Sequence, residues 1–410
     1  MTAVFVFALT LLLAVLVSDL ADRSVLSTAV LFLFAGFLVG EGGLGVISLR
    51  PDAPAVALLA ELALFSVLFT DGMRVGVKDL VTAWHLPGRA LFFGLPLTLI
   101  GTALLAHWVV GLPWAESFLI GAVLSPTDPV FAAAIVGREE VPERLRRLLN
   151  VESGLNDGLA LPIVVAMLAV VGAETFSFTE VLFEVLLGIA IGVAVPFAAI
   201  RLEQSRYFSA YATYRPLNAF AIGLLVLTIS SITHANEFLA AFAAGITVAT
   251  VGPEVRAAFH QFGDLVAELL KLAALLVFGA LISPKFLGEI PASGYVFALL
   301  VLIAVRPVAL LISLLRSPLS WPERAAASWF GPKGFASVVF GLLILKEARA
   351  AKLDWEQADN LFHLIALCIV GSILAHSSTD VLVARWLGRD RGEARPPGES
   401  GAVAPAGAEG

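Results

Sequence analysis

The sequence predicts an all-α membrane protein of about thirteen transmembrane helices, arranged as two inverted six-helix repeats with broken crossing helices. Three observations predict it. Hydrophobic residues make up 59% of the 410 and charged residues only 14%, and mean hydropathy is +0.92. Apolar runs of roughly 20 residues recur along the chain, each long enough to span a bilayer as a helix. They are continuous rather than alternating, which excludes a β-barrel. Two of the runs are interrupted by proline, glycine and charge at matching positions of the two halves, the pattern of a transporter built from inverted repeats.

The runs place spans at roughly 3–18, 25–40, 54–72, 88–111, 114–136, 151–172, 179–201, 216–233, 236–251, 263–283, 293–315, 324–345 and 360–384. Met1–Leu20 lacks a basic n-region, so it reads as the first span and not as a secretory signal. Basic residues orient the spans. Eighteen of the 26 Lys and Arg fall in loops after odd-numbered spans or in the tail. The opposite side holds five: Arg50, Lys285, Lys346, Arg349 and Lys352. Positive charge collects on the cytoplasmic side, so the N-terminus is expected outside and the C-terminus in the cytoplasm. The membrane is expected to be a bacterial inner membrane. The transmembrane unit is expected over 1–387. The Gly/Pro/Glu-rich stretch 388–410 is expected to be a disordered cytoplasmic tail. The sole cysteine, Cys368, excludes an internal disulfide and reads as inert packing. No P-loop occurs, so ATP is not expected to drive the chemistry. The partners expected are the lipid bilayer, monovalent cations and protons, with no nucleotide, nucleic acid or cofactor.

The fifth span carries "LSPTDPV" (124–130). Pro126 disfavours helix at Ser125. Asp128 can act as an N-cap, with Pro129 at the first helical position. The helix is expected to stop near Leu124 and restart at Asp128. A plain proline kink is the bland alternative, but a kink does not require the aspartate. Non-helical backbone at membrane depth persists only where it is buried in protein or lines a wet cavity. The twelfth span breaks at "GPKG" (331–334), beside Lys333. Helix fragments meet there with partial positive charge at N-termini and partial negative charge at C-termini. Asp128 is expected to balance the first. Lys333 is expected to face an anion, either Asp128 or the carbonyl end of the opposing fragment.

The sixth span, "NVESGLNDGLALPIVVAML" (150–168), places four polar groups in an apolar helix. Ser153 and Asp157 share one face; Glu152 and Asn156 share its neighbour. A carboxylate inside the membrane is costly and is usually functional or paired. Asp157, with the Ser153 hydroxyl one turn away, can hold a small cation through oxygen ligands. Glu152 can pair with Arg306 of "VRPVAL" (305–310), since arginine keeps its proton and a bidentate carboxylate makes its burial tolerable. The bland readings are that Glu152 and Arg306 snorkel near interfaces and that Asp157 hydrogen-bonds a broken helix. Burial penalises the charged form of a carboxylate. Asp157 is therefore expected to hold a proton or a cation, never both, which suffices for exchange.

At these residues the sequence resembles the monovalent cation:proton antiporter superfamily, in its sodium/proton exchanger branch. The matching pieces are "SPTDPV" (125–130), "ESGLNDG" (152–158), "FLAAFAAGI" (238–246), "VRPVAL" (305–310) and "FGPKGFASVVFGLL" (330–343), in order across almost the whole chain. The resemblance implies a homodimer, with dimerisation helices roughly over 1–85 and 179–283. A moving transport core roughly over 88–172 and 293–385 would give elevator-like alternating access. It implies that Asp157 carries cation and proton by turns, that Ser153 and the Thr127 carbonyl ligate the metal ion, and that Asp128 supports the site. Glu152–Arg306 would be a structural pair. Asn156 in place of a second aspartate is typical of electroneutral relatives.

Three positions depart from that pattern or sit loosely in it. Many relatives have arginine at the position of Lys333. A lysine at Lys271 is a feature of electrogenic relatives, although Glu268 and Asp264 nearby offer a local ion pair. Asp71 roughly matches an acidic position that approaches the ion from the dimerisation side, or is a span-end residue beside Arg74. Glu61, deeper in the same span, has no assigned role. The reading is an antiporter, not an enzyme, exchanging Na⁺ (or Li⁺ or K⁺) for H⁺ in the cell membrane, in the service of pH homeostasis. The alternatives are a K⁺/H⁺ exchanger of the same fold, a cation channel, and an intramembrane hydrolase with Asp128 and Asp157 as its dyad. His107, His234, His260 and His363 are expected at span ends or in loops.

Overall fold

The computed structural model describes residues 2–17, 28–49, 53–74, 85–128, 141–172, 178–205, 207–208, 214–349 and 355–392. Among these, fifteen helices and no strand are found. In chain order they are α1 (Thr2–Leu16), α2 (Thr28–Val39), α3 (Pro54–Arg74), α4 (Pro87–Val110), α5 (Trp114–Val123), α6 (Glu143–Gly172), α7 (Phe178–Glu203) and α8 (Arg215–Ile232). There follow α9 (Glu237–Val251), α10 (Pro253–Leu281), the short α11 (Pro284–Glu289), α12 (Ala292–Ser313), α13 (Trp321–Trp329), α14 (Phe335–Arg349) and α15 (Trp355–Gly392). By length and composition α3, α4, α6, α7, α12 and α15 can each cross a membrane, and α1, α2, α5, α8, α9 and α14 are shorter apolar helices. Each of the thirteen expected spans contains helix, with α5 the described part of the fifth and α13 and α14 the two parts of the twelfth.

Three boundaries need correction. α6 begins at Glu143, α10 at Pro253, and α15 continues to Gly392, past the expected start of the tail. Packing explains the first and third. Leu145, Leu148 and Leu149 recur at helical spacing and bury in a cluster with Leu310, Phe330 and Leu387, so apolar contact extends helices whose sequences read as polar. Residues 393–410 lie outside the described residues.

α4 and α12 share a distortion. α4 contains a π-helical turn at Ala90–Gly94, and α12 contains one at Val301–Val305. Each precedes a proline, Pro96 and Pro307. A proline ring clashes with the carbonyl four residues back, here Phe92 and Ile303, and removes one backbone donor. A wider turn in both helices is the relief. These are the fourth and eleventh spans, which correspond if the two halves repeat.

The helices pack in two groups. One joins α1, α2, α3 and α7–α10; the other joins α4, α5, α6 and α12–α15. α6 touches α3, α7 and α9 across the boundary, and α14 touches α3 and α10. The first group uses small residues to bring backbones together. A Cβ on Gly72 of α3 would strike the Phe242 carbonyl, and one on Gly245 of α9 would strike the Phe69 carbonyl. Such close crossings gain dispersion contact where no water is available to drive association.

Candidate ion site

Both breaks are built by short-range chemistry, and they meet. α5 ends at Val123, and the Ser125 hydroxyl donates back to the Ala122 carbonyl at 2.9 Å. α13 starts with a capping box between Ser320 and Glu323 and ends at Trp329. α14 starts only at Phe335, so Pro332 and Lys333 lie between helices and not in a first helical turn. The Asp128 N–H donates to the Pro332 carbonyl at 3.0 Å. Its Oδ2 accepts the Phe335 N–H at 3.2 Å, at the N-terminus of α14. Ser337 Oγ donates to the Val123 carbonyl at 2.7 Å, joining the two helices a second time. Gly334 is required here, because a Cβ would collide with the Asp128 side chain. The expected role of Asp128 as cap to a helix resuming at Pro129 lies outside the described residues.

α6 runs past these breaks. Asn156 Nδ2 donates to Thr127 Oγ1 at 2.7 Å and to the Thr127 carbonyl at 3.2 Å. Thr127 Oγ1 lies 3.3 Å from Ser153 Oγ. Asn156 Oδ1 is buried without a hydrogen-bond partner among the described residues. Asp157 is 7% exposed. No hydrogen bond reaches its carboxylate from the described residues, while Asp71 and Asp128 lie within electrostatic range. Ser153, Thr127, Asn156, Asp128 and Asp157 are thus brought together.

Asp71 reaches this group from α3. It also pairs with Arg74 at 3.0 Å. Arg74 bridges on to Asp264, which contacts His260, each at 3.0 Å. Lys271 pairs locally with Glu268 at 2.5 Å and lies within range of Asp71.

The other charges stand behind the breaks. Arg306 Nη2 donates to Glu152 Oε1 at 2.9 Å, with both side chains 5% exposed, so neither snorkels. The pair is single-pronged, not the expected bidentate fork: the same Nη2 also donates to the Phe330 carbonyl at 3.2 Å, and Nε is buried without a hydrogen-bond partner among the described residues. A Cβ on Gly331 would fall onto the Arg306 guanidinium, so only glycine leaves room for it. The expectation for Lys333 is corrected. Its Nζ is buried and meets no hydrogen-bonding partner among the described residues, neither Asp128 nor a helix-end carbonyl. Arg306 and His376 serve the carbonyl end of α13 instead.

Sequence reasoning missed His376, Ser372 and Ser337. All three are polar residues in otherwise apolar spans, the signal that singled out Asp157. Glu61 acquires a partner in Lys346, which joins α3 to α14 across the boundary between the helix groups. Of the four histidines placed by sequence, His107 stacks on Trp114 at 3.9 Å and His363 meets the Phe286 ring edge at 4.3 Å.

Comparison with known proteins bears on this arrangement. The chain is 27% identical over 390 residues to the K⁺/H⁺ antiporter NhaP of Alkalimonas amylolytica, covering 94% of this chain and 66% of that one. It is 26% identical over 387 residues to the K⁺/H⁺ antiporter NhaP2 of Shewanella baltica, covering 92% and 65%. It therefore spans about two thirds of the length of these relatives. Its fold is that of the sodium proton antiporter MjNhaP1 from Methanocaldococcus jannaschii, with TM-score 0.75 at 18% identity over 94% of this chain and 97% of that one. Residues 7–385 match the family described as "Sodium/hydrogen exchanger, transmembrane", and to that family the chain belongs.

Proposed function

We propose that this chain is a secondary antiporter that exchanges a monovalent cation for a proton, with Asp157 as the group that carries each in turn. The observation that carries the reading is the Asp157 carboxylate, buried near the non-helical residues 124–128 that follow α5 and without a hydrogen bond from the described residues. A buried carboxylate persists when a proton or a cation neutralises it. Oxygen ligands for an alkali cation are at hand in Ser153, Thr127 and Asn156, with Asp128 fixing the break and Asp71 adding charge from α3. The cation is substrate, bound by hard oxygen donors. Loading it displaces the proton, so each carrier form crosses with the same charge and exchange is one for one. Glu152–Arg306 holds the core. Lys271 is occupied by Glu268, which favours the electroneutral stoichiometry.

The predicted cation is Na⁺, with Li⁺ tolerated. The names of the NhaP relatives favour K⁺ as a second reading. The helix group α4–α6 with α12–α15 would move against α1–α3 with α7–α10. The latter would form a homodimer in a bacterial inner membrane, N-terminus outside. Purified chain in proteoliposomes, with a pH dye inside and Na⁺, Li⁺, K⁺ or Rb⁺ added outside at several pH values, tests this. Cation-driven, saturable proton flux that disappears in Asp157→Asn is expected. Large passive current, or unchanged flux in the variant, overturns it.

A further inference from the structure

Ser372 and His376 lie one turn apart on α15, 1% and 2% exposed, and have no part in the ion chemistry above. Both face the segment between α13 and α14. Ser372 Oγ accepts the Lys333 N–H at 2.7 Å. His376 Nε2 lies 2.9 Å from the carbonyl of Trp329, the last residue of α13. Its Nδ1 lies 3.2 Å from Ser372 Oγ and 2.7 Å from the Ser372 carbonyl. The last carbonyls of a helix have no partner within it, and leaving one bare in a dry core is costly. Both ring nitrogens face a carbonyl, and a neutral imidazole can donate to only one of them. With the proton on Nε2 the ring donates to Trp329 and its Nδ1 accepts the Ser372 hydroxyl, while the Ser372 carbonyl, within α15, takes no proton from the ring. The ring is wedged beside Trp329 and Phe330, with centroids 5.2 and 6.3 Å away. Arg306 and Lys333 are the charged groups that face it.

The segment so held is also the one that touches the ion site. Its Pro332 carbonyl takes the Asp128 N–H, and the Phe335 N–H beyond it binds the Asp128 carboxylate. Thr127 is the next residue along. A continuous run of short hydrogen bonds therefore links α15 to the oxygen atoms beside Asp157. We propose that His376, braced by Ser372, is a positioning residue for the ion site. By fixing the end of α13 it sets where Thr127 and Asp128 stand, and hence how tightly the site holds a cation and how well it tells one alkali metal from another. This inference rests on the antiport reading above.

The test uses full-length chain in proteoliposomes. His376→Leu keeps bulk and removes the donor; His376→Gln restores an N–H near Nε2; Ser372→Ala removes the brace together with the acceptor for the Lys333 N–H. Ligand groups displaced by a fraction of an ångström lose much of their effect. His376→Leu is expected to raise the half-saturating cation concentration by about tenfold and to compress the preference among Na⁺, K⁺ and Li⁺. His376→Gln should return both close to wild type, and Ser372→Ala should fall between. A residue that merely aids folding would lower the amount of active protein and the maximal rate, without moving half-saturation or the cation ratio. Wild-type half-saturation and cation ratio in His376→Leu, or in Ser372→Ala should the leucine variant not fold, overturn the inference alone. So does a glutamine variant as impaired as the leucine one. Absence of cation-driven proton flux in wild-type protein overturns the antiport reading and this inference with it.

Discussion

The main-chain N–H of Asp128 is bonded to the carbonyl of Pro332 at 3.0 Å, and the Asp128 carboxylate caps the first turn of α14. One residue thus ties the stretch after α5 to the segment between α13 and α14 through both its main chain and its side chain. The α14 N-terminus carries exposed donors and partial positive charge, and the aspartate answers both.

Replacing Asp128 by alanine should cost about 0.5–2 kcal/mol of stability, the ordinary range for a lost N-cap. Asparagine should retain most of it. Thermal unfolding in detergent reads the difference. A Gly334→Ala variant should be worse than either, since its Cβ must displace the same side chain. Equal stability of the alanine variant and the wild type would show that the capping bond contributes nothing.

Arg306 and Glu152 are both 5% exposed and share one 2.9 Å bond. Removing either partner alone strands a charge in a dry core, which typically costs about 3–5 kcal/mol. Arg306→Met and Glu152→Leu should each lower thermal stability strongly. The double variant should recover much of the loss, because two desolvated charges are then replaced by packing. Additive losses in the double variant would refute direct coupling.

Competition at Asp157 has a definite sign. If protons and cations seek the same carboxylate, as proposed, the half-saturating cation concentration should rise as pH falls. On the acid side the slope for a single competing proton is about tenfold per pH unit. Toward alkaline pH the dependence should flatten as the proton leaves. Initial rates of cation-driven dye dequenching across a pH series measure it. A half-saturation that is constant from acid to alkaline pH would separate the two ligands and remove the basis for exchange at one residue.

Much of this was legible from residue types alone. "SPTDPV" and "GPKG" break helices because proline lacks a donor and glycine lacks a Cβ, which is local chemistry. Asp157, Glu152 and Arg306 announce themselves because charge in an apolar run must be paid for by something. What sequence could not supply was pairing at long range. The expected partner of Lys333 was wrong because the carbonyl end of α13 was already taken by Arg306 and by His376, a residue whose relevance depends on α15 lying against the break. The early start of α6 depended likewise on what Leu145 and Leu149 bury against. Glu61 had no role until α14 brought Lys346 to it.

That last pair yields the remaining prediction. Glu61 lies two turns into α3 and Lys346 near the end of α14, so their bridge ties the two helix groups together in the half that sequence assigns to the outer side. The side chains are 22% and 42% exposed, and an exposed pair contributes only about 0–1 kcal/mol. Charge removal should therefore leave thermal stability nearly unchanged. Its importance would be mechanical. If one group slides past the other during exchange, the two residues must separate in each cycle. With the buried Cys368 replaced by serine, Glu61→Cys together with Lys346→Cys should support exchange while reduced. Oxidation to the disulfide should arrest exchange, and reductant should restore it. Full exchange by the oxidised, demonstrably cross-linked protein would mean that these helices keep their contact throughout the cycle, and that the boundary between the two groups is not where the motion occurs.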